Sequence, residues 1–171
     1  NGRDISSLTI KERIRAGVGH IPEDRHRHGL ILDFSIGENM ILKNYDAAPY
    51  SSRLGVLDYA AIVGNAESLI GQYDIRAGEG AAMKASNMSG GNQQKAIIAR
   101  EIALSPDVLV VAQPTRGLDV GAIEYIRKRI VAERDKGRAI LLVSFELDEI
   151  MNLCDRIAIL SKGEITKIFN Q

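Results

Sequence analysis

Apolar positions in this chain follow two patterns. Short unbroken runs, Val108–Val111 and Ile140–Val143, have the length and β-branched content of strands buried on both faces. Between them, apolar residues recur at helical spacing: Ile62, Ala66, Leu69 and Tyr73, then Ile98 and Ile102, then Ile123, Ile126 and Ile130. Start and stop signals frame these segments. Thr9 caps a short helix to Ala16, with Glu12 completing a capping box, and Gly17 stops it. Ser35 with Glu38 repeats that arrangement for a helix to Leu42, and Asp58 caps another to Tyr73. Further helices are predicted over 92–104, 120–135 and 147–153. Val18–Ile21 reads as a short strand, and strands over 156–160 and 164–169 flank a tight turn at Lys162-Gly163.

Apolar strands alternating with amphipathic helices predict an α/β layered fold with a largely parallel sheet. The polar run Glu23–Gly29 reads as a surface loop, 44–57 as a loop or flexible excursion, and 77–87 as a second irregular stretch. The sequence contains no internal repeat. Its 171 residues suffice for one domain with a real core. Lys plus Arg (22) balances Asp plus Glu (22), which disfavours a nucleic-acid partner. A single cysteine, Cys154, allows no internal disulfide and suits a reducing cytoplasm. No apolar run approaches the roughly 20 residues of a membrane span. The polar start, Asn1-Gly2-Arg3-Asp4, has neither an initiator methionine nor a leader's apolar stretch, and reads as a start in mid-protein.

The sharpest chemical feature is Met88-Ser89-Gly90-Gly91-Asn92-Gln93-Gln94-Lys95, a glycine turn entering a helix. Free N–H groups and the helix dipole favour an anion there, glycines let its atoms come close, and a serine hydroxyl adds a donor. A plain glycine turn with Ser89 as the helix cap satisfies the same pattern. Two segments nearer the C-terminus tip the balance toward the anion site: VLVVAQPTRGLD (Val108–Asp119) and then LLVSFELDE (Leu141–Glu149). Together the set resembles the ABC ATPases, with a signature motif, a Walker B strand, a D-loop and a switch region. Upstream, Gly19–Leu30 (GHIPEDRHRHGL) resembles the Q-loop region of the second ATP-binding domain of bacterial sugar and nucleoside importers, especially those working with nucleoside receptors.

That resemblance implies a P-loop NTPase-like fold with a helical subdomain over 34–88, and a core over 89–171. No G-x-x-x-x-G-K-[ST] occurs, so the part carrying Walker A is missing, as if it preceded Asn1. The departures from the family are specific. Ala112 and Gln113 stand where a magnesium-holding Asp and a water-orienting Glu are expected. Alanine has no ligand atom, and an amide cannot act as a general base. Phe145 occupies the switch His position, and Glu23 that of the Q-loop Gln. Ser89, Gly90, Gly91, Asn92 and Gln93 carry the signature, with Asn92 replacing the usual Gln but keeping an amide, and Asp119 keeps the D-loop acid.

The implied mechanism is an asymmetric head-to-tail pair using ATP and Mg2+. This domain's own site would hold nucleotide weakly or without hydrolysis, while its signature completes the site of a preceding ABC domain in the same polypeptide. The implied partners are integral membrane permease subunits and, indirectly, an extracytoplasmic solute-binding protein; the place is the cytoplasmic face of the membrane. Residues 33–40 would border the permease-docking groove. The chain alone is expected not to hydrolyse ATP, and its exposed apolar surface to favour non-native dimerisation. The alternatives are a soluble ABC protein of DNA repair or translation, and a non-hydrolysing regulatory module. The first needs basic surfaces or inserted coiled coils, which the sequence lacks; the second fits the degraded Walker B but not the kept signature. His20, His26 and His28 read as a solvated loop rather than a metal site, because Arg25 and Arg27 oppose a cation. Glu146, Asp148 and Glu149 read as a charged helix start, and Cys154 as a core thiol.

Overall fold

The computed structural model describes residues 2 and 4–170. Asn1 and Arg3 of the polar start, and Gln171 at the end of the expected core, lie outside the described residues. Three parallel strands form the sheet in the order β1 (Val18–Ile21), β2 (Val108–Ala112), β3 (Ala139–Val143), with Val18 opposite Val108 and Val108 opposite Ala139. A separate antiparallel hairpin, β4 (Arg156–Ser161) and β5 (Glu164–Asn170), closes the chain. Lys162 and Gly163 turn it, both at positive φ.

The helices are α1 (Ile10–Arg15), α2 (Ile36–Met40), α3 (Tyr59–Gln72), α4 (Gly90–Ala103), α5 (Val120–Asp135) and α6 (Leu147–Leu153). Their starts obey local chemistry. Thr9 with Glu12 and Ser35 with Glu38 form complete capping boxes, and the Asp58 carboxylate accepts from Ala61 N–H at 3.0 Å. Each cap satisfies amides that have no helical partner.

Three expectations change. The run Glu23–Gly29 is not a plain loop: Arg25–Gly29 forms a single π-helical turn, capped by Asp24, whose side chain accepts from His26 and Arg27 N–H. That bonding lowers the Asp24 pKa, with the Arg27 amide as its first cause. Helix α4 starts at Gly90, not Asn92, because the Ser89 hydroxyl accepts from Asn92 N–H and admits both glycines to the first turn. And β2 is buried on one face only. Leu109 and Val111 are fully buried, whereas Val108 is exposed and Val110 half-buried; Leu141 and Val143 of β3 also stand open. Side chains alternate across a strand, and helices cover just one face of this sheet among the described residues.

That covered face carries the core. Ile21, Leu109 and Val111 pack with Ile97, Ile98 and Ile102 of α4, Ile126 and Ile130 of α5, and Ile36, Met40, Ala66 and Leu69 of α2 and α3 in one cluster. Segment 34–88 therefore shares its interior with the strands. Within it, Ile36, Gly37, Asn39 and Met40 are buried, so of the stretch expected to border a docking groove Asp33 and Phe34 are exposed and Ser35 and Glu38 half-buried. A charge cluster lies under the same roof. The buried Glu101 carboxylate accepts from Arg100 Nε at 3.1 Å and from His20 N–H at 3.1 Å, and is ion-paired with Lys43. No described helix is long and apolar enough to cross a membrane.

Ile97 is fully buried, so Ile97→Ala should cost about 2–5 kcal/mol in chemical unfolding. Asp58→Ala, which removes only a cap, should cost about 1 kcal/mol.

Candidate functional site

Parallel strands end together, and the loops leaving their carboxyl ends form the natural crevice of an open α/β sheet. Here β1 leads to Glu23, β2 to Gln113 and β3 to Phe145. Gln113 extends the β2–β3 ladder by one bond, its N–H to Val143 carbonyl at 2.8 Å, and then turns sharply at φ 48°. Its side chain is buried, and its amide nitrogen lacks a hydrogen-bond partner. Phe145 is 84% exposed. Glu23 is exposed and ion-paired with Arg116, which is itself on the loop after β2.

The first turn of α4 stands beside these loops. Ser89 is exposed, while Gly90 and Gly91 are half-buried. Gln93 N–H makes the bond back to Ser89 carbonyl at 2.9 Å, and Asn92 N–H is taken by the Ser89 hydroxyl. The Gly90 and Gly91 amides precede those bonds and are the donors left at the helix start. Asn92 is committed inside the chain: its side-chain nitrogen donates to Ser89 Oγ at 3.0 Å, and its oxygen accepts from Arg76 N–H at 2.9 Å. Gln93, expected as a nucleotide contact, is engaged within the chain. It is buried, donating to Ala85 carbonyl at 3.0 Å and lying 2.9 Å from His26 Nε2. An amide so engaged supports the turn.

Asp119 caps α5 through Ala122 N–H at 2.9 Å, and is exposed. A Cβ placed on Gly91 would stand 3.2 Å from Ala122 Cβ and 3.5 Å from Asp119 Oδ2. The two helix starts, α4 and α5, thus meet at a glycine, and Asp119 lies at the edge of the donor turn. A cleft of about 300 Å3 opens nearby, lined by Glu23, Asp24, Arg25, His26, Arg116 and Gly117.

Sequence reasoning missed three residues. Arg25 donates to Arg116 carbonyl at 3.2 Å and reaches over Gly90; Asp24 ahead of a charged run was the available capping signal. Thr115 and Glu149 were hidden by distance in sequence. Glu149, expected to decorate a helix start, is fully buried and accepts from Thr115 Oγ1 at 3.0 Å, with Arg127 Nε 3.7 Å away. It binds α6 to the loop after β2, because α6 lays that side chain inward. Glu146 and Asp148 remain exposed at the helix start.

The donor set at the ends of β2 and β3 does not suit magnesium. Ala112 has no ligand atom, and Gln113 has a buried, unpartnered N–H group where a hard cation needs oxygen. Among the described residues no group of three or more His, Cys, Asp or Glu side chains is arranged to hold a metal ion. His26 is engaged with Gln93, and His20 donates its backbone N–H to Glu101. Cys154 ends α6 and is half-buried; burial pushes its thiol pKa up, and the Asp155 and Glu149 carboxylates add to that. The thiolate is the reactive form, so native Cys154 should alkylate slowly with iodoacetamide at pH 7. Unfolding in urea should speed the reaction, as followed by intact mass.

No protein-family model matches the chain. Its sequence is 54% identical over 170 residues, 99% of the chain, to the guanosine import ATP-binding protein NupO of Bacillus subtilis. It is 52% identical over 168 residues to the nucleoside import ATP-binding protein NupA of Lactococcus lactis, and 36% identical over 171 residues to the ribose import ATP-binding protein RbsA of Clostridium perfringens. The chain spans about a third of the length of these curated relatives (33%, 33% and 34%). Among solved structures, a nucleotide-free ATP-binding cassette from an ABC transporter superposes with a TM-score of 0.77 at 19% identity, covering 98% of this chain and 66% of that one. A post-hydrolysis dimer of another cassette, bound to ADP and Pi, gives 0.71 at 22% identity. The chain has the fold of an ABC ATP-binding cassette, and it is similar along nearly its whole length to nucleoside and sugar import ATP-binding proteins.

Proposed function

We propose that the chain belongs to the ATP-binding subunit of an ABC importer for nucleosides or sugars, and is the part of its second cassette that carries the signature. The observation that carries this reading is the donor turn. Ser89, Gly90 and Gly91 present a hydroxyl and two amides at an exposed helix start, the geometry that holds a phosphate. High identity to nucleoside import ATP-binding proteins supports the substrate class.

The pair works asymmetrically in this reading. Residues 34–88 form the helical subdomain facing the permease, and 89–171 form the rear of the core. A preceding cassette in the same polypeptide supplies Walker motifs, ATP and Mg2+; this chain's donors complete that site from the opposite side. Asp119, at the edge of the donor turn, links the two sites. The chain's own site retains nucleotide without turning it over, because Gln113 cannot accept a proton, Phe145 donates nothing and Ala112 binds no ion. Glu23 stands at the Q-loop position with its charge balanced by Arg116. The polypeptide sits on the cytoplasmic face of the membrane, on permease subunits fed by an extracytoplasmic solute-binding protein. A non-hydrolysing regulatory role is the second reading, favoured by Ala112 and Gln113 alone.

Removing donors aimed at developing phosphate charge typically costs 10²–10³-fold in rate. Ser89→Arg in the full-length protein should therefore lower transport-coupled ATPase activity by about that factor, measured in vesicles with the permease. Wild-type turnover in that variant rejects the signature role. Gln113→Glu alone should leave turnover unchanged, because Ala112 and Phe145 remain; a gain from it would overturn the asymmetry. Purified chain alone should show no ATP turnover.

A further inference from the structure

The first two turns of α4 touch the π-helical turn at three points. A Cβ on Gly90 would stand 3.0 Å from an Arg25 guanidinium nitrogen, and the Gln93 side-chain oxygen lies 2.9 Å from His26 Nε2. A Cβ on Gly29 would stand only 2.5 Å from Ile97 Cδ1. Positions 90, 93 and 97 fall on one face of a helix. The π-helical turn therefore runs along the signature helix, with Arg25 against its first residue and Gly29 against its second turn. Gly29 is buried there, which is why a side chain has no room.

The Arg25 end of the same turn is also tied to the loop after β2. Arg25 donates to the Arg116 carbonyl at 3.2 Å, and Arg116 is ion-paired with Glu23. Gln93, held by His26 on one side and Ala85 carbonyl on the other, has no freedom to swing.

We propose that the π-helical turn Arg25–Gly29 is a clamp on the signature helix, and that Arg25 and His26 are positioning residues setting where the Ser89–Gly91 donors stand. The inference rests on the signature role proposed above.

A positioning residue acts on turnover and not on ground-state affinity, since misplacement by about 1 Å can cost on the order of 10²-fold. Arg25→Ala and His26→Leu, made separately in the full-length protein assembled with its permease, should each lower kcat about tenfold, with KM for ATP changed less than about twofold. Arg25→Lys, which keeps the charge but not the planar fork, should recover only part of the loss. Two variants on different contacts guard against one failing to fold. Ser89→Arg is measured alongside. If Ser89→Arg is inactive while Arg25→Ala and His26→Leu turn over at the wild-type rate, the clamp is wrong and the signature role stands. A loss confined to KM also overturns it, since that marks direct nucleotide contact. If Ser89→Arg itself turns over normally, both readings fall together.

Discussion

A helix surrounded by protein has no water to satisfy its polar side chains, and that constraint shapes this structure. Helix α4 is buried from Gln93 to Ile102 except at Lys95, yet it carries Gln93, Gln94, Arg100 and Glu101 among its apolar residues. Leaving such groups unpaired costs about 1–3 kcal/mol each, more when charged. The chain answers by bringing partners from far away in sequence. His26 and Ala85 meet Gln93; Lys43, Arg100 and the His20 amide meet Glu101; Arg100 also donates to Asn39 carbonyl. These bonds join β1, α2 and the π-helical turn to one helix. The exposed tip of that helix is the donor turn, so what anchors the interior also aims the surface.

A second set of contacts holds the outer flank. Lys95 reaches Asp74 and lies 4.4 Å from the Tyr125 ring centre, while Arg129 stacks 4.6 Å from Tyr73 and bonds Tyr125 Oη at 3.0 Å. Cation–aromatic contacts of this kind contribute about 0.5–1 kcal/mol where exposed and more when desolvated. They join the end of α3 to α4 and α5, on a different flank from Glu101. Helix α4 is thus gripped on two flanks, while Ser89 at its start stays open to solvent.

How much of this was legible in the sequence depends on distance along the chain. Caps are local, so Thr9 with Glu12, Ser35 with Glu38, and Asp58 announced helix starts correctly. The parallel β1–β2–β3 sheet was readable from apolar runs alternating with helical spacing. The π-helical turn was not: His26, Arg27 and His28 are exposed as the sequence suggests, and the turn is seated by Gly29, which packs against Ile97 some seventy residues on. Glu149 was misread, and the internal bonds of Gln93 went unseen, for the same reason: polar residues at polar-looking positions turn inward only where a remote partner waits. Burial of β2 on both faces was overestimated, since an apolar run cannot say how many layers will cover it. The donor turn itself was readable, because glycine and serine at a helix start are a short-range signal.

The open face of the sheet has a further consequence. Leu141 and Val143 on β3, and Ile159, Leu160, Ile165, Ile168 and Phe169 on the terminal hairpin, stand exposed among the described residues. Among those residues β3 also ends the sheet, its outer backbone groups unclaimed by a fourth strand. Such an edge is a template for any extended segment of matching greasiness. In dilute solution water is its companion; as protein accumulates, a second molecule becomes the better one. For these 171 residues taken by themselves, association in solution is therefore expected to depend on that border as much as on the interior.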